Sequence, residues 1–167
     1  DHYVLDSTVN GIFAYYLGQE EWIDTAENTK RTFRMLMKNI SEIRLGTANV
    51  RFGEMLARNV YNDHSKQLKK ELREQFSRHR SNHGIALMRL IWNIAMKSGR
   101  VSHNPFSRMR LKALPPRRTM WEEEEVWKFI DACESTGYPN LGLMALMCWH
   151  LCQRPGDMRQ VTFNHLE

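Results

Sequence analysis

The sequence predicts an all-α fold that is divided into two helical units. Apolar residues recur at the three- and four-residue spacing of amphipathic helices along most of the 167 residues, and the alternating pattern of strands is nearly absent. The boundary between the units is expected where Asn104-Pro105 and Pro115-Pro116 interrupt helices. A hydrophobic fraction of 42% is sufficient for a core, which excludes a wholly disordered chain.

Four helices are predicted in the first unit, at about residues 7–19, 26–44, 60–76 and 81–98. Thr25 is the expected N-cap of the second helix, and Ser98-Gly99 is a typical C-terminal stop for the fourth. Residues 46–53 are expected to form a loop. The inward face of the fourth helix is predicted to consist of its apolar positions, Ile85, Met88, Ile91, Trp92 and Ala95.

The formal charge is distributed unevenly along the chain. Residues 64–118 contain fourteen Lys and Arg but only two acidic residues, a balance of +12, whereas residues 1–63 carry −2 and residues 119–167 carry −5. A basic middle of this size indicates a surface that binds a polyanion such as nucleic acid. A solvated helix face that binds nothing is the alternative interpretation.

A stiff, basic linker is predicted at residues 105–118. It contains no acidic residue and carries five cations, Arg108, Arg110, Lys112, Arg117 and Arg118. Such a segment fits either a tether that lies along a phosphate backbone or an exposed hinge.

The second unit is predicted to begin with a capped helix. Thr119 and Glu122 have the spacing of a capping box. The carboxylates from Glu122 to Glu125 are favoured in the first turn by the helix dipole, so the acidic run is interpreted as capping and not as a metal site. A buried apolar helix is then expected from Leu141 to Gln153, and Pro155 is expected in the first turn of a short helix that follows.

Arg154 stands at the exit of this predicted buried helix, followed by Pro155-Gly156-Asp157. An arginine held rigidly by its neighbours suits a phosphate, because the planar fork of guanidinium donors matches the phosphate oxygens. The alternative is a helix-ending arginine that pairs with Asp157.

Three motifs, in this order, resemble those of the tyrosine recombinases, the phage-integrase family. Ile85 to Gly99, followed by Asn104-Pro105, looks like the last helix of the family's core-binding domain. Thr119 to Ile130 is similar to the opening of its catalytic domain. Arg154-Pro155-Gly156-Asp157 falls where the family carries its first catalytic arginine.

The resemblance implies a domain organisation. Residues 1–104 would be a four-helix, SAM-like core-binding domain that binds DNA. Residues 105–118 would be the basic interdomain linker, and residues 119–167 would be the incomplete N-terminal part of the catalytic domain.

The resemblance also implies a reaction. In the family a tyrosine attacks the scissile phosphodiester and forms a 3′-phosphotyrosyl link, while arginines stabilise the developing charge without a metal or other cofactor. Of the family's catalytic residues, two have counterparts in this sequence: Arg154 would be the first catalytic arginine, and Asp157 would orient it. The family's nucleophile lies downstream of this point, so the chain is predicted to bind DNA without cutting it, and a covalent adduct with nicked DNA would contradict that prediction.

The partner implied by the resemblance is double-stranded DNA at attachment sites, on which the parent recombinase works as a tetramer. The suggested contacts combine the linker cations with seven helical residues: Arg31, Arg34, Arg78, Arg80, Asn82, His83 and Arg89. Arginine and asparagine can read guanine and adenine edges, but most contacts are expected to be to phosphate.

Simple features of the sequence argue against a membrane protein, a secreted protein and a metal site. No apolar run reaches the roughly 18 residues needed to span a membrane, and no signal peptide is evident. Three cysteines without a disulfide spacing fit a reducing cytoplasm. The resemblance to phage integrases implies that this is the cytoplasm of a bacterium, near the nucleoid. His79 and His83 have the spacing of a metal pair but lack a third ligand.

Two alternatives to the recombinase interpretation remain. One is a non-catalytic helical DNA-binding regulator, and the other is a helical protein-interaction module.

Overall fold

The computed structural model describes residues 7–46, 49–113, 115–116 and 120–162, and the chain divides into two units, Asp1–Pro115 and Pro116–Glu167. The described residues are predominantly helical, which confirms the all-α prediction. Across these described ranges, no helix is both long and apolar enough to cross a membrane.

Five helices make up most of the described part of the first unit. Four of them correspond to the predicted helices, and the extra one is a single turn that is too short to show a periodic pattern. The five are α1 (Val9–Tyr16), α2 (Glu20–Ile23), α3 (Glu27–Glu42), α4 (Asn62–Gln75) and α5 (Arg78–Lys97).

Helix α5 is the centre of the first unit and packs against α1, α3 and α4. All five positions of its predicted inward face are buried, which confirms that prediction. The helix ends at Lys97 with Ser98 as its C-cap, and Gly99 follows with a φ of 73°, as expected for a glycine stop. The burial of one continuous apolar face on α5 therefore organises the other helices around it.

The predicted loop at residues 46–53 contains regular structure. Strand β1 (Arg44–Leu45) pairs antiparallel with β2 (Val50–Arg51), and a 3₁₀ turn follows at Phe52–Glu54. The amide of Phe52 donates to the carbonyl of Ile43 at 2.7 Å, and the Phe52 ring is fully buried. Two-residue strands are too short for an alternating pattern, so the sequence did not indicate them.

Helix starts differ from the predicted ones. Ala26, not Thr25, is the N-cap of α3, because the hydroxyl of Thr25 donates to the carbonyl of Glu21 at 2.6 Å instead. Helix α5 begins at Arg78, before the predicted start, and the hydroxyl of Ser77 accepts from the amide of Arg80 at 3.2 Å.

Residues 105–113 belong to the first unit, although the sequence assigns them to the interdomain linker. Phe106 is fully buried, and its ring meets that of Trp92 edge-on at a centroid distance of 5.2 Å. An aromatic side chain buried in the core anchors the chain on either side of it. The first unit accordingly extends to Pro115, beyond the predicted boundary at residue 104.

The second unit contains α6 (Glu123–Ser135), α7 (Pro139–Leu151) and α8 (Pro155–Met158). The capping box is formed by Glu122 and Glu125, three residues after the predicted one, and the amide of Glu122 donates to Oε2 of Glu125 at 3.0 Å. Thr119 lies outside the described residues. Pro155 occupies the first turn of α8, as predicted.

Helix α7 is not the buried helix that its apolar sequence predicts. Gly142 is its one buried residue, packed against Ile130 and Cys133 of α6. Leu143 and Leu151 are more than half exposed. An almost uniformly apolar helix has no distinct stripe, so its sequence does not tell which side is covered.

Candidate nucleic-acid interface

A cleft of about 450 Å³ separates α4 from the segment that follows α5. Lys66 and Lys69 line it on the helix side, and Arg108 and Arg110 line it on the other. The remaining lining residues are uncharged: Asn62, Ser65, Pro105 and Met109. Four cationic side chains thus converge on one cleft whose lining contains no carboxylate.

Hydrogen bonds from α4 and α5 hold the second wall of the cleft in place. Ser65 Oγ donates to the carbonyl of Pro105 at 3.1 Å, and Lys69 Nζ donates to the carbonyl of Arg110 at 2.7 Å. Asn82 Nδ2 donates to the carbonyl of Lys112 at 3.0 Å. The backbone carbonyls therefore point inward, toward the two helices.

Asn104 fixes the start of the same segment. Its Nδ2 donates to the carbonyl of Arg89 at 2.9 Å and to Oδ1 of Asn93 at 2.8 Å. Its Oδ1 accepts from the amide of Phe106 at 2.9 Å. The largely buried amide of Asn104 is satisfied on both sides, and the turn between α5 and the cleft is set by it.

The cations of the segment are exposed and without an acidic partner. Arg108, Arg110 and Lys112 make no ion pair within the described ranges, whereas Lys66 pairs with Asp63 at 3.3 Å. Both side chains of that pair are highly exposed, at 74% and 88%, so the pair adds little stability, and Asp63 offsets one positive charge beside the cleft. The cleft and its rim therefore present a net positive surface to solvent.

The first turns of α5 carry two arginines and a histidine that the sequence singled out as DNA contacts. Arg80 is exposed and lies over the ring of Phe76 at 5.5 Å, and Arg78 is half-buried. His83 is exposed and its ring lies 4.3 Å from that of His79. Arg78 and Arg80 flank a helix start, where they add positive charge beside an already basic unit.

Two of the predicted DNA contacts have structural roles here. The amide of Asn82 binds the carbonyl of Lys112, and the half-buried guanidinium of Arg89 donates to the carbonyls of Phe106 and Met109. Hydrogen bonds to main-chain carbonyls leave fewer donors for a ligand. A direct contact of either residue with DNA stays a prediction.

The two predicted contacts on α3 differ from each other. Arg34 pairs with Glu27 at 3.1 Å and lies 5.1 Å from the centre of the Trp22 ring. Arg31 is exposed. Neither lines the cleft. Arg117 and Arg118 lie outside the described residues.

Arg154 is the N-cap of α8 and is exposed, so it is not held at the exit of a buried helix as expected. Cys152, two residues earlier, has a left-handed conformation with a φ of 51°. The amide of Asp157 donates to the carbonyl of Arg154 at 3.0 Å, but in the described chain their side chains form no ion pair. That Asp157 orients the guanidinium stays a prediction.

Lys66 and Lys69 are the cleft residues that the sequence did not single out as a site. Their three-residue spacing places both on one side of the helix. Their opposition to Arg108 and Arg110 depends on contacts between positions about 40 residues apart, such as the one from Lys69 to the carbonyl of Arg110. No local pattern in the sequence reports such a contact.

Metal-ligating side chains do not cluster in threes anywhere in the described ranges.

Comparison with known proteins identifies no family: no family model, no curated protein and no solved structure matches the chain. The chemistry of the cleft and the order of the motifs are therefore the grounds on which a function is argued.

Proposed function

We propose that the first unit binds double-stranded DNA through the cleft between α4 and residues 105–112. The observation that carries the proposal is the convergence of Lys66, Lys69, Arg108 and Arg110 on a cleft without a carboxylate. Cations gathered around one cleft attract an anion into it. A phosphate backbone supplies such anions at regular intervals and releases its counterions when it is bound.

A charge-matched pair of variants tests this proposal. Lys66→Gln, Arg108→Gln and Arg110→Gln, combined in one chain, remove three cations of the cleft. The control, Lys38→Gln, Lys97→Gln and Lys128→Gln, removes three exposed lysines, none of which lines it. We expect the cleft variant to lose about 500-fold in duplex affinity at 0.1 M salt, since each lost phosphate contact lowers the salt slope by about 0.9, which is about eightfold at this concentration.

Fluorescence anisotropy with a labelled duplex measures both affinities. The control should bind within a few-fold of the wild-type chain. Equal losses in the two variants would contradict the proposal, because binding would then follow net charge and not the cleft.

We further propose that the chain is the DNA-binding portion of a site-specific tyrosine recombinase. Its first unit would be the SAM-like core-binding domain, and its second unit would begin the catalytic domain. The order of the three motifs supports this assignment. We expect Arg154→Ala to weaken duplex binding, whereas undiminished binding would favour a non-catalytic DNA-binding regulator.

A helical protein-interaction module is the second candidate function. The observation that favours it is an apolar cleft of about 740 Å³ in the second unit, lined by Trp121, Phe129, Met144 and Trp149 among others. Apolar surface of this kind is typical of an interaction site. A chain that has only this function should show no steep salt-dependent affinity for DNA.

A further inference from the structure

Arg89 connects α5 to the segment that forms the second wall of the cleft. Its Nε donates to the carbonyl of Phe106 at 3.0 Å, and its Nη2 donates to the carbonyl of Met109 at 2.6 Å. Its own carbonyl accepts from Nδ2 of Asn104 at 2.9 Å. One residue of α5 thus binds the segment at three points.

The two carbonyls that Arg89 binds lie on either side of Arg108, and the second immediately precedes Arg110. Phe106 is fully buried, whereas Arg108 and Arg110 are exposed. Holding the backbone at residues 106 and 109 therefore determines where the two exposed guanidinium groups can reach.

The hydrogen bonds from Arg89 matter because residues 105–112 carry the two arginines of the cleft and have no helix or strand of their own to hold them. Lys66, Lys69, Arg108 and Arg110 all line the cleft, so binding an anion there depends on where the backbone of the segment holds its two arginines. Lys69 contributes one attachment, from its Nζ to the carbonyl of Arg110, and Arg89 contributes two more, to the carbonyls of Phe106 and Met109. Hydrogen bonds from a guanidinium are charge-assisted and are stronger than those between neutral groups. A rigid fork of donors can also bind two carbonyls at once, which the single ammonium of lysine does less well.

We propose that Arg89 is a positioning residue for DNA binding: it fixes the segment so that Arg108 and Arg110 face a phosphate backbone, and it does not itself contact the DNA. This inference rests on the proposed function of the cleft. It assigns to Arg89 a role different from the direct contact that the sequence predicts.

A double-variant cycle in the full chain tests the inference. The four proteins are wild type, Arg89→Gln, the pair Arg108→Gln and Arg110→Gln, and all three changes together. We expect Arg89→Gln to weaken duplex binding by about tenfold in the wild-type background, through the loss of organised phosphate contacts. In the background that already lacks the two arginines, the same change should cost less than about twofold, since coupled residues are not additive.

An equal loss in both backgrounds would overturn the inference, because it would mean that Arg89 contacts DNA independently. Arg89→Lys provides a second test, since it keeps the charge but not the fork. It should bind DNA as weakly as Arg89→Gln; full affinity would overturn the positioning role. Circular dichroism and thermal unfolding of each variant identify any general loss of the fold.

Hydrogen exchange supplies a readout that does not depend on DNA. Arg89→Gln should speed exchange at the amides of Phe106, Ser107 and Met109, which make hydrogen bonds within the segment, with little change in α1. Unchanged exchange in the segment would overturn the inference. If the wild-type chain does not bind duplex DNA, the proposed function fails together with the inference; if wild type binds and Arg89→Gln binds equally well, the inference alone fails.

Discussion

Tyr16 is a residue whose polar group is poorly accommodated by the first unit. The side chain is 1% exposed, its ring meets that of Trp22 edge-on at 5.6 Å, and its hydroxyl makes no well-formed hydrogen bond in the described structure. Burial raises the pKa of this hydroxyl above its ordinary value of 10.0, and the charge of Glu21 adds to the increase. The hydroxyl of Thr25 offsets a part of it.

Replacing Tyr16 by phenylalanine should therefore leave stability unchanged or raise it slightly. A buried hydroxyl without a good partner loses its hydration on folding, and phenylalanine keeps the ring contact. The pH dependence follows from the raised pKa: above about pH 10 the unfolded tyrosine binds fewer protons than the folded one, so the free energy of unfolding falls as pH rises.

Urea unfolding of wild type and Tyr16→Phe between pH 8 and about pH 11 measures both effects. The variant should lose less stability than wild type above pH 10. The same slope in both proteins would show that Tyr16 ionises equally well when folded.

At the scale of elements, the 3₁₀ turn after β2 packs closely against α1 and α3 through Gly53. A Cβ at this position would lie 2.6 Å from Oδ1 of Asn10, and it would also meet the hydroxyl of Ser41. The hydroxyl of Ser41 donates to that same Oδ1 at 2.8 Å. The absence of a side chain at Gly53 therefore lets three elements meet.

Gly53→Ala should lower the free energy of unfolding by about 2 kcal/mol, the usual cost of forcing an extra carbon into a packed site. Gly18→Ala is the matched control, because a Cβ there would meet its nearest neighbour, the carbonyl oxygen of Tyr15, at an ordinary 3.6 Å. Denaturant unfolding compares the two variants. Equal effects would contradict the close packing described at Gly53.

The elements that the sequence predicted well are those with one covered face. Helices α3, α4 and α5 each have an apolar stripe, and burial of that stripe in the core is what produces the pattern. The exposed side of α7 was missed because a helix that is apolar all round carries no such information. The hairpin of β1 and β2 was missed because two residues are too few for a period.

At the scale of the molecule, the sequence located the excess of positive charge but not its arrangement. The balance of +12 over residues 64–118 is visible by counting. That Arg108 and Arg110 oppose Lys66 and Lys69 depends on tertiary contacts, including those of Arg89 and Ser65 with residues 105–109. Arg108 and Arg110, which were predicted to lie in a linker, thus line a cleft. Arg89, which was predicted to contact DNA, binds the backbone of the segment that forms one wall of that cleft.

The salt dependence of duplex DNA affinity tests the central claim most directly. We expect the logarithm of the affinity of the wild-type chain to fall linearly with the logarithm of the salt concentration. In the variant with Lys66, Arg108 and Arg110 changed to glutamine, this slope should be shallower by about 2.7, because each lost phosphate contact accounts for about 0.9. An affinity that does not depend on salt, or an equal slope in that variant, would contradict DNA binding by the cleft.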